Sequence, residues 1–393
     1  MKKLPLLALM TCLGGLAMTV AACEEDSALV RPRLDDGGGD GSTLDGGPNS
    51  GSLSCGATIP TTYESAAFAQ NAAVEIALGQ RFVELGDKMR SAEGPSGVAV
   101  TASELNAIYS AGAPSLRAVS TTGAQSAVDG YFAAFGTAMG EKWSPNDASQ
   151  DGGAASGGRF DESVLYVFDR TGIDLRVAAE NTLLGGALYN HVLGLVAAPI
   201  TETTVDKLLA AFGATPALAN QTGPDASADA DKLLAAYASQ RDDKSSETPG
   251  PYRKVKTALL RMKAAVKGGE ACKTDLDEAV AAFLTEWERT TYATAIFHLA
   301  AAASSAVDPD AGPTTLRAYG QALGLIQSFK GVGKRKITDA QIDALLGKIG
   351  SADAYKLVTS AGDRAVALNG AISDIALYEG FTLDEVDSFK KSF

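Results

Sequence analysis

Histidine is nearly absent from this chain of 393 residues: there are two, beside four cysteines, two tryptophans and an aromatic fraction of 7%. Two histidines exclude a poly-histidine metal centre. The sequence also lacks a Gly-x-Ser-x-Gly elbow, a His-Glu-x-x-His helix and a phosphate-cradling glycine loop between strand and helix, so the commonest hydrolase, zinc-protease and nucleotide-binding signatures are missing. Cations are in deficit, 34 Lys+Arg against 47 Asp+Glu, for a formal charge of −13. Nucleic acid is therefore not the expected partner, because neutralising phosphates takes a clustered basic surface. Nor does any segment after the N-terminus read as a bilayer span of about 20 apolar residues.

The N-terminus is the most informative stretch. Lys2 and Lys3 precede an apolar run, Leu4 to Val20, interrupted by Pro5, Gly14 and Gly15. Small residues then lead to a cysteine, Val20-Ala21-Ala22-Cys23. This is the pattern of a secretory signal rather than a membrane span, and its last four residues resemble the bacterial lipobox. The resemblance implies cleavage after residue 22 and a diacylglycerol thioether on Cys23. A lipid-anchored protein of the bacterial cell envelope is expected, with the membrane as its partner through that lipid. Loss of Lys2 and Lys3 takes the formal charge from −13 to −15, so an anionic membrane surface should repel the body.

Residues 23–58 read as the acylated cysteine and a Gly/Asp-rich tether, including Asp35-Asp36-Gly37-Gly38-Gly39-Asp40-Gly41. Such a composition has little to bury, and it lacks the ligand spacing and closing Glu of a calcium loop. Once Cys12 leaves with the signal and Cys23 is acylated, Cys55 and Cys272 remain. In an oxidising compartment they form either a disulfide or two separate thiols.

Residues 59–393 carry Ala-rich, 3.6-periodic segments. Thr101-Ala102-Ser103-Glu104, Thr338-Asp339-Ala340-Gln341 and Thr382-Leu383-Asp384-Glu385 are capping boxes, and Thr274-Asp275-Leu276-Asp277 reads as the cap of a long helix to about residue 306. Further helices are expected over 124–143, 175–197, 203–212, 229–241, 252–267 and 352–377, with a clear loop at 242–251. Gly320 and Gly324, one turn apart, would let a neighbouring backbone approach closely. Only Ser163 to Phe168 looks extended, and it would form a hairpin with Ile173 and Leu175. The predicted fold is all-α: a multi-helix bundle, either single or two packed pseudo-symmetric bundles (59–250 and 251–393), with at most one small β-hairpin.

Several stretches resemble a known family: Gly79-Gln80-Arg81-Phe82 before Leu85 and Met89, Leu165 to Gly172 followed by Gly185-Gly186-Ala187-Leu188-Tyr189, Trp287 before Ala293 to Leu299, and Leu316 to Gly331. Their order and spacing are similar to a bacterial lipoprotein family known as domain of unknown function 4856. That resemblance implies a helical envelope lipoprotein and transfers no functional residue. More distantly, the chain is similar to imelysin-like proteins, exported bundles linked to iron uptake and marked by Gly-x-His-x-x-Glu. Here His191 has Tyr189 and Gly194 at the flanking positions, and His298 has Ile296 and Ala301.

On the residues themselves, His191 and His298 are weak metal candidates. They would form an iron or haem site only if they approach each other with Glu180, Glu286 or Glu288 nearby; otherwise they are separate histidines in or beside the core, and no cofactor is expected. Glu286 and Glu288 straddle Trp287 and point apart, reading as a solvated face with an i,i+3 pair from Glu286 to Arg289. Trp287 and Tyr292 read as core aromatics. Lys330, Lys334, Arg335 and Lys336 form the one local basic patch and read as a solvated helix end. The expectation is a non-enzymatic binding or scaffold protein for an envelope protein or small ligand, with an imelysin-like metal or haem handler as the alternative.

Overall fold

Local signals set most of the helix starts. The computed structural model describes residues 51–93, 97–148, 157–160, 166–222, 230–305, 312–350, 352 and 354–393; the signal, Cys23 and the tether up to residue 50 lie outside them. The first helices are α1 (Phe68–Asn71), α2 (Ala73–Arg90), α3 (Ala102–Tyr109), α4 (Leu116–Val119), α5 (Thr122–Ala138) and α6 (Pro145–Ala148). After a two-stranded sheet come α7 (Leu175–Leu183), a π-helical turn (Leu184–Tyr189), α8 (Asn190–Val196), α9 (Glu202–Phe212), α10 (Leu233–Gln240) and α11 (Pro251–Gly268). The chain ends with α12 (Lys273–Ser305), α13 (Gly312–Gln327), α14 (Asp339–Ile349), α15 (Lys356–Thr359), α16 (Ala361–Glu379) and α17 (Leu383–Phe389). All three predicted capping boxes form with reciprocal bonds, at Thr101, Thr338 and Thr382.

The architecture is the predicted all-α multi-helix bundle. Its axis is α12, packed by α11, α13 and α16 along its length and by α10 and α17 beside them, while α7 lies between α5 and α13. One contiguous apolar core runs from Tyr63 to Phe389. Trp287 and Tyr292 are wholly buried in it, as expected of core aromatics. The α7–α13 contact depends on the glycines: a Cβ on Gly324 would sit 2.7 Å from the Ala178 carbonyl oxygen, and one on Gly320 3.2 Å from the Asp174 Cβ. No helix among the described residues is long and apolar enough to cross a membrane.

Four expectations need correction. The sheet pairs Gly158–Arg159 with Val167–Phe168, antiparallel, so the partner strand precedes the predicted extended segment; Phe168 makes only an isolated bridge to Asp174, and Ser163 to Leu165 lie outside the described residues. The helix predicted over 175–197 is interrupted by the π turn, where Gly185 and Gly186 press on Ser328 and Ala124 and admit no side chain. The Thr274–Asp277 cap does not start α12, because a 3-10 turn, Gly269–Cys272, already feeds it. The helix predicted over 352–377 is two, α15 and α16, divided at Ser360.

A fifth difference concerns the tether. Its last residues, 51–58, are folded: Leu53 is 4% exposed, and Ser52 bridges Thr58. Leu53 packs with Ala264, Ala265 and Cys272 in a small satellite core, and a disulfide joins Cys55 to Cys272. Asp275, freed from capping, accepts hydrogen bonds from the Ser54 amide (3.0 Å), the Ser54 hydroxyl (2.7 Å) and the Cys55 amide (3.1 Å). A Gly/Ser-rich composition hid a segment that closes on itself locally and is fastened to the body by distant partners.

An ionic cluster lies beneath the α7–α13 contact. Arg176, 3% exposed, donates to Glu93 (2.7 Å) and Glu180 (3.0 Å). Asp174, fully buried, caps α7 through the amides of Arg176 and Val177 and receives Arg317 at 3.1 Å. Burial pushes the Asp174 carboxyl up to about 7, with Arg176 pulling it down and Glu93 adding to the rise. Every charge here has a partner, as folded proteins require of buried ions.

Candidate functional site

Arg241 follows α10 and is 1% exposed. Its Nη1 donates to the Phe389 carbonyl oxygen at 3.0 Å, and its guanidinium lies 3.7 Å from the centroid of the Phe297 ring. No carboxylate pairs with it, and its buried Nε has no partner among the described residues. Burial pulls its pKa from 12.5 down to about 10, which still leaves a full charge at neutral pH. A buried cation without a counter-ion is costly unless something arrives to compensate it.

Arg241 forms the wall of a recess of about 340 Å³ between the 242–250 loop, the start of α11, the middle of α12, and α17. The loop is held rigidly. Asp242 accepts from the amides of Gly250 (3.1 Å) and Arg253 (2.9 Å) and from Arg253 Nε (2.9 Å). The remaining Arg253 nitrogens donate to the carbonyls of Ser246, Asp243 and Thr248. A Cβ at Gly250 would lie 2.8 Å from the Asp242 Cα, so glycine is needed at that corner. Opposite, Glu385 of the Thr382 capping box receives Arg289 at 2.7 Å and Lys254 at 3.5 Å. Arg289 also donates to the Glu379 carbonyl (3.0 Å) and packs over Phe381. It reaches Glu286 only at 3.7 Å, confirming the i,i+3 pair as an ion pair too long for a hydrogen bond.

Glu286 and Glu288 do point apart, but Glu288 is not solvated: it is 4% exposed and accepts from the Lys336 and Ile337 amides at 2.8–3.1 Å. The basic patch is solvated as expected, with Lys330, Lys334 and Lys336 exposed, and it is also tied into the structure. Lys330 pairs with Asp343, Arg335 with Asp339 at 2.7 Å, and Lys336 Nζ donates to the Glu379 carbonyl.

The structure does not bring the two histidines into one ligand cluster. His191 Nε2 lies 2.9 Å from Glu75 Oε1. His298, 8% exposed, sits edge-on to Tyr237 and Phe297. Burial and then the Arg241 charge drive its pKa down to about 3, and its buried Nε2 has no partner among the described residues. Among those residues the one convergence of three potential ligand atoms is Cys55, Cys272 and Asp275, whose sulfurs are joined to each other.

Behind the recess, Glu379 is 1% exposed with Oε1 unpaired, and burial, reinforced by Glu288, raises its pKa from 4.5 to about 8. An unfolded chain would ionise this group near 4.5, so unfolding releases a proton between that pH and about 8, and stability falls as pH rises through the window. His298 acts oppositely: folded, it stays neutral down to about 3, so its contribution is lost as pH falls below about 6.5. Asp174, raised to about 7, is half ionised at that pH and adds to the same fall in the lower part of the window. From pH 7 to 8, urea unfolding should therefore show a free energy that falls with pH, Glu379 contributing at most about 1.4 kcal/mol per pH unit, and Glu379→Gln should make that fall shallower. A slope identical in the variant would refute the assignment.

Of these features, the sequence alone points to Glu286, Glu288, Arg289 and the 242–251 loop, and not to Arg241 or Glu379. The available signal was an arginine at a helix end next to an Asp-Asp pair; nothing local says that Asp242 would choose Arg253 instead. Comparison with protein-family models, curated proteins and solved structures finds no match to the chain.

Proposed function

We propose that this chain is a cell-envelope lipoprotein, moored through acylated Cys23, whose helical body is a ligand-binding module rather than an enzyme. Arg241 carries the binding reading. A nearly buried guanidinium with no carboxylate, walled into a recess whose rim is fixed by Asp242 and Arg253, costs the fold stability and is understandable if an exogenous group completes it. The Val20-Ala21-Ala22-Cys23 sequence supports the anchor, and a disulfide between Cys55 and Cys272 fits an oxidising, exported setting. The recess hydroxyls come from Ser246, Thr248, Thr382 and Ser388; Thr382 is engaged with Glu385 in the capping box, and neither histidine lines the recess.

Growing bacteria on radioactive palmitate tests the anchor. The wild-type chain should take up label and fractionate with membranes, and Cys23→Ser should do neither. Label retained by the serine variant would overturn the proposed attachment site.

A further inference from the structure

We infer that the recess over Arg241 takes a small zwitterion of the amino-acid or short-peptide class, its carboxylate on the Arg241 guanidinium and its ammonium on the Glu286 carboxylate. This rests on reading the recess as a binding site. The argument is one of unspent charge. Three cations line the recess, Arg241, Lys254 and Arg289. Lys254 and Arg289 are both committed to Glu385, which leaves Arg241 as the cation with no carboxylate. On the acidic side, Asp243 is held by the amide and hydroxyl of Ser245 (2.9 and 2.6 Å), Glu385 is saturated by its two cations and the Thr382 amide, and Asp384 is exposed to water. Glu286 is different: its nearest cation is 3.7 Å away, and burial raises its pKa against the pull of Lys254 and Arg289. One wall therefore offers a guanidinium without a carboxylate, and another a carboxylate without a hydrogen-bond donor.

A ligand of a single sign fits poorly. An anion of several charges would face the carboxylates of Asp243, Glu286, Asp384 and Glu385, and a bare cation would face Arg241 in a partly desolvated space, where repulsion is weakly screened. A neutral apolar ligand would strand both unspent groups at the cost of their lost hydration. A molecule carrying a carboxylate and an ammonium satisfies both walls, and the Arg–carboxylate fork is the stronger of the two contacts. The volume, about 340 Å³, lies at the small end of the range for small-molecule sites, roughly 300–1,000 Å³, and suits an amino acid or a di- or tripeptide. Pro249, Pro251 and Phe389 supply apolar surface for a side chain.

The test uses the mature, acylated protein in detergent. Four probes are compared by thermal melting and calorimetric titration: an equimolar pool of free amino acids, a pool of unblocked dipeptides, the same dipeptides N-acetylated, and the same dipeptides C-amidated. At least one of the two unblocked pools should raise the melting temperature, and both blocked pools should bind at least about tenfold more weakly, or not at all. Arg241→Met and Glu286→Gln should each lose at least about tenfold in affinity while keeping wild-type helical circular dichroism and a cooperative melt. Should Arg241→Met fail to fold, Glu286→Gln carries the test alone, since the change keeps the side chain's shape and the Glu286 carboxylate, 15% exposed, makes no hydrogen bond. Blocked pools binding as well as an unblocked pool would overturn the zwitterion and leave the binding site standing. No shift with any pool would overturn both.

Discussion

Replacing Arg176 by methionine should cost about 3–5 kcal/mol of stability at neutral pH, the range expected when one partner of a buried ion pair is removed. Arg176 is 3% exposed and is the hydrogen-bonded cation of both Glu93 and Glu180. Methionine fills much of the volume but leaves two carboxylates with little water. Glu180 already has its pKa raised by burial, with Arg176 the main force holding it down. Arg317 compensates only in part, because its closest contact is Asp174 at 3.1 Å and Glu93 lies 3.7 Å away. The pH dependence identifies the cause. Without Arg176 the folded-state pKa of Glu180 rises further, so the deficit relative to wild type should be largest at neutral pH and shrink as acid protonates that carboxylate. Urea unfolding at pH 5 and pH 7.5 reads this directly. A deficit independent of pH would mean that lost packing, rather than stranded charge, is responsible.

The double replacement of Cys55 and Cys272 by alanine should cost about 2–5 kcal/mol. The bridge spans 217 residues, and closing so long a loop removes much freedom from the unfolded chain. The loss should also be localised. Apart from the bridge, residues 51–59 are held by Leu53 in the satellite core, the three bonds to Asp275, and the amides of Leu53, Gly56 and Ile59 bonded to Ala57, Leu53 and Gly51. Hydrogen exchange should speed up at Leu53, Gly56 and Ile59 in the double variant and stay slow in the second half of α12, between Trp287 and Ala303. Unchanged protection at 51–59 would show that Asp275 and Leu53 hold the segment unaided.

These two sites mark the boundary of what sequence can convey. Capping boxes were legible because Thr338 and Gln341, three residues apart, carry the whole interaction. The close approach at Gly320 and Gly324 was legible because a missing side chain one helical turn from another has few other uses. Asp275 was misread for the complementary reason: an acidic residue in a Lys-Thr-Asp-Leu-Asp run looks like a cap, and its true partners, Ser54 and Cys55, lie more than 200 residues away. The π turn at 184–189 is invisible in a stretch whose periodicity favours plain helix; its Gly185 and Gly186 lie against Ser328 and Ala124, neighbours that the local sequence does not name. Arg241 was missed because its meaning is negative, a charge whose neighbouring carboxylate is taken by Arg253. Such an absence exists only once the loop has folded.

The proposed anchor, the proposed export and the disulfide can be read together from the intact mass and peptide map of the protein isolated from bacterial envelopes. The account predicts that residues 1–22 are missing, that the N-terminal peptide begins at Cys23 with the added mass of a diacylglycerol, and that the peptides holding Cys55 and Cys272 run as one until a thiol reductant separates them. A chain that retains Met1, with an unmodified Cys23 and free thiols at 55 and 272, would contradict it.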